Sequence, residues 1–184
     1  MKDYSQIRKI AMIALLLASA SLVAQTATGT INATLINKSA ISLIFDSDPG
    51  GVTLGSNGSS AVSVNLGTIS AFGPLAPGVT RPAVAAGNYT VRTLFDVKVF
   101  QGGVTSPNYT LSAQLAAVAP TGFTYAIDTV TLTTAAQNIQ TNGAYDTDIQ
   151  HALKLTVSTA APGAGGPAVG TPLTTTINFT ATSN

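Results

Sequence analysis

Between Tyr89 and Val99 apolar and polar side chains alternate: Tyr89, Val91, Phe95, Val97 and Val99 fall on one side, Thr90, Arg92, Asp96 and Lys98 on the other. A two-residue period belongs to a β-strand with one buried and one wet face, because successive Cβ atoms point to opposite sides of a sheet. A helix through the same residues would scatter its apolar groups around the whole circumference. This segment therefore commits the chain to sheet structure.

The same period recurs along the chain. Ile31, Ala33 and Leu35 alternate with Thr30, Asn32 and Thr34; further series run through Ile41, Leu43 and Phe45, through Val62, Val64 and Leu66, and from Tyr109 to Ala117. Leu153, Leu155 and Val157, then Leu173, Thr175, Ile177 and Phe179, close the set. Glutamate is absent and Thr, Val and Ile are plentiful, a balance that favours strands over helices. The expected fold is all-β, an antiparallel β-sandwich of eight or nine strands. Asn57-Gly58 is expected to turn a hairpin between Val52–Leu54 and Val62–Leu66. The strands at 89–99 and 109–117 are expected to form a long central hairpin. Residues 71–88, with several prolines and glycines, read as an irregular crossover or an edge segment. A further strand is expected around 129–133, a loop or one helical turn over 135–148, and a loop over 161–172.

The N-terminus carries a different signal. Lys2, Arg8 and Lys9 form a basic head, and Ile10 to Val23 an apolar run too short to span a bilayer comfortably. Residues 1–24 read as a signal peptide cut after Ala24, with Ala20 as the other candidate point, and residues 25–184 as one domain. The alternative is an uncleaved tether. After cleavage the protein would be secreted or held at the cell surface, with no further membrane contact. No cysteine is present, so stability rests on packing and sheet hydrogen bonds, and thiol chemistry is excluded.

Charge narrows the function. Beyond residue 24 five basic residues face six aspartates, a balance with no basic stripe for phosphates, which argues against nucleic-acid binding. So near neutrality, mutual repulsion is weak and association is favoured. His151 is the only imidazole; it stands in sequence near Asp146 and Asp148, no G-x-S-x-G elbow presents a serine, and a surface or turn-packing role is expected. Asp46/Asp48 and Asp146/Asp148 are fragments of a calcium-ligand pattern without its closing glutamate. Aspartate also favours turns through its own hydrogen bonds, so neither a metal nor any other cofactor is expected. Asn-x-Ser/Thr triplets begin at Asn32, Asn37, Asn57, Asn88, Asn108 and Asn178, as alternation in a Thr-rich chain also produces. Tryptophan is absent and Tyr89 and Tyr109 fall on the inward face, leaving no aromatic platform for sugars. Ice binding would need a flat, repeated threonine lattice, and Thr129 to Thr134 is one short run.

The export signal, the Thr/Gly/Ala-rich alternation, the isolated alternating segment at the start of the mature chain and the last strand Thr174-Thr175-Thr176-Ile177-Asn178-Phe179-Thr180 together resemble bacterial pilin-like and spore-coat-U-like surface proteins. The resemblance implies an immunoglobulin-like sandwich completed when an N-terminal extension from a neighbour adds a strand. The chain departs from that pattern in having no cysteine pair and no aromatic at the extreme C-terminus. Ile31, Ala33 and Leu35 would be the apolar contacts of such an assembly strand; an ordinary first strand of its own domain would show the same pattern. The expected function is that of a non-enzymatic structural or adhesive surface protein, self-assembling as a homo-oligomer or fibre. The alternative is a monomeric secreted binding module for a glycan or matrix protein.

Overall fold

The computed structural model describes residues 25–33, 40–160, 170 and 172–184. The export segment, Leu35, Asn37 and residues 161–169 lie outside the described residues.

Eleven strands are described: β1 (Gln25–Ala33), β2 (Ala40–Asp46), β3 (Ala61–Ile69), β4 (Thr80–Ala85), β5 (Asn88–Gly102), β6 (Asn108–Leu115), β7 (Phe123–Ile127), β8 (Val130–Thr131), β9 (Gln137–Ala144), β10 (Ile149–Ser158) and β11 (Leu173–Ser183). They form two sheets packed as a sandwich. The first runs β3-β1-β11-β6-β9; the second runs β2-β5-β10-β7-β8, with β4 also paired to β5. All pairings are antiparallel except that of β1 with β11.

Alternation decides which side chains meet between the sheets. Tyr89, Val91, Phe95, Val97 and Val99 of β5 are all buried, as the period requires, and so is Thr93. At the centre Phe45 and Phe95 of the second sheet meet Phe179 of the first, with ring centroids 5.1 to 6.1 Å apart and the two contacts to Phe179 edge-on. Edge-to-face packing sets the positive ring edge against a negative face and adds to the burial of apolar area.

The long strand β5 receives β2 along Asp96–Gly102 and β4 along Asn88–Arg92, leaving its edge open from Thr93 to Phe95. The loop after β2 fills that gap. Val52 N donates to Thr93 Oγ1 at 2.9 Å, and Gly51 sits so close that a Cβ there would fall 2.0 Å from the Leu94 carbonyl oxygen. Only glycine fits such an approach.

Several expectations are corrected. The strands at 89–99 and 109–117 do not form a hairpin: β5 belongs to the second sheet and β6 to the first, because residues 103–107 carry the chain across the sandwich. Asn57-Gly58 does not join two strands, since Val52–Leu54 is loop and only a single bridge links Gly55 to Ser63. Asn57 instead accepts from Ser47 N and Ser47 Oγ and donates to Asp46, tying down the loop. The eight or nine strands become eleven because β4 forms within 71–88, β9 within 135–148, and β7 turns into the short β8. β4 contains Pro82 and pairs on one side only, and β9 is a mostly polar edge, so neither carries a strong period.

Replacing Phe95 with Ala should destabilise the domain by about 3–5 kcal/mol, since a fully buried ring is removed from contacts on both sheets. Urea unfolding of the two proteins checks this; a difference below about 0.5 kcal/mol, usual for surface sites, would contradict the packing described.

Candidate functional site

The position of β1 singles it out. It is the first described strand, yet it lies inside the first sheet, antiparallel to β3 on one side and parallel to the terminal strand β11 on the other. Ile31 sits opposite Val62 of β3 and Ile177 of β11 and is fully buried. Ala33 pairs through its backbone with Phe179, and Leu35 lies outside the described residues. Of the three apolar positions expected of an assembly strand, Ile31 thus points into the sandwich of its own chain.

The inner face of β1 is thinly filled. Ala27 and Gly29 present little side chain, and beneath them lies an apolar void of about 20 Å³ bordered by Ile31, Leu66, Tyr125, Leu153, Leu155 and Thr175. That volume is about what one water needs. Burial pushes the Tyr125 hydroxyl up to about 12, an effect that the Thr175 hydroxyl only partly offsets. The Gly29 backbone is not in the left-handed region, and a Cβ there would meet nothing nearer than the Val64 carbonyl oxygen at 3.7 Å. Glycine here is therefore a choice of weak filling rather than a geometric necessity.

The outer face of the first sheet is polar but uncharged. Thr28, Thr30 and Asn32 of β1 lie in register with Thr174, Thr176 and Asn178 of β11, and β6 continues the face with Thr110, Ser112 and Gln114. Every charged side chain among the described residues belongs to the second sheet or to the turns at its ends. Lys98 there pairs with Asp148 at 2.9 Å, and Asp46 stands directly opposite Asp96. The Asp96 carboxyl is raised above its ordinary value, first by burial and then by repulsion from Asp48, Asp148 and Asp46.

His151 is neither a surface nor a turn residue. It points into the core against Phe95, 4% exposed, and its partner is Asp128 rather than Asp146 or Asp148. Its Nδ1 donates to Asp128 Oδ2 at 2.7 Å, while Asp128 Oδ1 accepts from Ala152 N at 2.8 Å. Asp128 reaches both from a turn with φ of 54°, a left-handed conformation that aspartate tolerates. Nε2 has no hydrogen-bond partner, so no hydroxyl stands where a nucleophile would need its base. The pair fastens the β7–β8 turn to β10.

Three of the four aspartates read as calcium fragments, Asp46, Asp48 and Asp148, are otherwise engaged, Asp46 accepting from Asn57. Asp48 is buried, accepting from Gly50 N at 2.6 Å and from Gln150, and Asp148 faces Lys98. Among the described residues no group of three His, Cys, Asp or Glu is placed to hold a metal ion, and no helix is long and apolar enough to cross a membrane. No protein-family model matches this chain, and no curated protein is similar enough to stand as a relative.

Two outcomes follow. Gly29→Ala should raise stability by about 0.5–1 kcal/mol in urea unfolding, by filling the void and lowering the entropy of the unfolded chain; a loss would mean that β1 is already tightly packed. Burial raises the Asp128 carboxyl, but the bonds from His151 and Ala152 outweigh it and hold the group below its ordinary value. That contribution is present above about pH 4 and is lost as pH falls through the folded value. Asp128→Asn should therefore cost about 1–2 kcal/mol near neutrality and flatten the fall in stability below about pH 4; unchanged acid unfolding would contradict the assignment.

Proposed function

We propose that this chain is a secreted, non-enzymatic structural subunit of the cell exterior, an immunoglobulin-like sandwich that assembles by exchanging β1 between copies. The observation that carries this is the seat of β1. It completes the first sheet from both sides, and no strand precedes it among the described residues. A second copy's β1 would meet the same backbone partners on β3 and β11, so exchange conserves nearly every contact and is driven by concentration.

Three features support the reading. The weak filling at Ala27 and Gly29 lowers the cost of withdrawing the strand. Residues 34–39, between β1 and β2, can reach across at most roughly 25 Å, enough to pass a strand to an abutting neighbour. Handed forward head-to-tail, β1 would link copies into a ring where the rotation between them closes and into an open filament where it does not. The export segment at 1–24 fits a subunit assembled outside the cytoplasm.

Light scattering on the chain lacking residues 1–24, across a wide range of concentration, tests this. The expected result is a growing population of oligomers that is abolished by Ile31→Asp, because a charge would have to enter an apolar seat unpaired. A peptide covering residues 25–36 should bind the chain from which that segment has been deleted. A monomer at every concentration, with no peptide binding, would leave the alternative reading of a monomeric binding module, which the uncharged outer face of the first sheet favours.

A further inference from the structure

The outer face of the first sheet is the largest feature that assembly through β1 leaves unused. Two ranks cross it in register: Asn65, Thr28 and Thr174, then Ser63, Thr30 and Thr176. Hydroxyls and amides therefore repeat about every 4.8 Å across the strands and about every 6.7 Å along them. Soluble proteins ordinarily scatter charges over such a face to keep neighbours away; here the described side chains carry none, and the charges among the described residues sit on the opposite sheet or in the turns at its ends.

At one end the face is not flat. After β6 the chain rises as Ala116–Pro120 and walls off a shallow cleft of about 360 Å³, whose other wall is Thr30, Thr174 and Thr176. Val118 stands on the rim, 82% exposed, the most exposed of the large apolar side chains described. The cleft thus offers hydroxyls on one side and methyl and methylene groups on the other, with no ionised side chain in its lining.

We infer that this cleft and the threonine ranks leading from it form a binding surface for an extended, neutral polysaccharide. Such a chain presents the two matching kinds of surface, rows of hydroxyls that both donate and accept and patches of C–H along the ring faces. Threonine answers both with one side chain, and Val118 with Pro120 supplies apolar contact in place of an aromatic ring. A uronate or sulfated chain would find no cation in the lining, and a nucleic acid no basic groups. The raised wall also argues against an ice lattice, which needs an unobstructed plane. The inference deepens the glycan-binding alternative and does not depend on exchange of β1, since a β1 from either copy would present Thr28 and Thr30 in the same register beside Thr174 and Thr176.

Affinity electrophoresis of the chain lacking residues 1–24 tests this, with hydroxyethylcellulose, laminarin and dextran as neutral probes and alginate as the acidic one. The expected result is retardation by at least one neutral probe, unchanged between low and high salt because no charge pairs form. Thr174→Lys and Val118→Asp, both at exposed positions, should each reduce that retardation at least tenfold with circular dichroism unaltered. Thr156→Lys, on the outer face of the second sheet, should leave it intact. No retardation by any neutral probe, retardation by alginate alone, or retardation that survives both cleft variants would overturn the inference. Shaping of ice crystals by the wild type but not by Thr174→Lys would overturn it in favour of ordered water. Light scattering on the same samples keeps the outcomes apart: loss of oligomers alone counts against β1 exchange, and loss of retardation alone against the polysaccharide surface.

Discussion

The first sheet exists as one sheet because β1 holds hydrogen bonds on both edges. Without it β3 has no partner in that sheet, and β11 keeps only β6. Ile31 would leave a core in which it touches residues of β3 and β11 by register, and two rows of unpaired backbone groups would face solvent. A strand so central is usually secured at both ends, as β11 is by its place between β1 and β6 and by Phe179 at the aromatic centre. β1 instead combines a central seat with small side chains, Ala27 and Gly29, over a void. In the proposed exchange an identical strand would restore both pairings, and the small side chains leave fewer contacts to re-form.

The two faces of the sandwich divide the remaining work. Charged side chains on the second sheet keep that side solvated and supply local bonds, such as Lys98 with Asp148. Buried and half-buried polar groups fix the less regular parts of the same sheet: half-buried Asp128 and buried His151 fasten a turn to β10, Asp48 caps the loop after β2, and Thr93 receives that loop where β5 lacks a neighbour. The first sheet has none of this on its outer side. Its uncharged ranks can meet a neutral partner without desolvating an ion, a cost that would otherwise weigh against binding.

Much of this was legible in the sequence wherever one face of a strand is buried and the other wet. β5, β6, β10 and β11 show the period plainly, and their inward residues form the core. The edges were not legible: β4 is exposed along nearly its whole length, and β9 is mostly polar with few inward residues, so no alternation marks them. Sequence adjacency also misled twice. β5 and β6 are neighbours in the chain but lie in different sheets, and His151 is close in sequence to Asp146 while its partner, Asp128, lies 23 residues earlier, beyond β8 and β9. The threonine face escaped notice for a related reason: Thr28 and Thr30 meet Thr174 and Thr176 only through a parallel pairing of the two ends of the chain, which no local pattern announces.

The claim that β1 can serve a neighbour as well as its own domain is open to one direct measurement. The chain has no cysteine, so Thr30→Cys with Ser63→Cys places a single reporter pair on strands that face each other across β1 and β3. Facing strand positions lie within disulfide reach. After oxidation of dilute and concentrated samples, non-reducing gels separate links within a chain from links between chains. The account predicts monomers in the dilute sample and a ladder of covalent multimers in the concentrated one, dissolved by reductant. Cross-linked monomers alone at every concentration would contradict it and fix β1 as a strand of its own domain only.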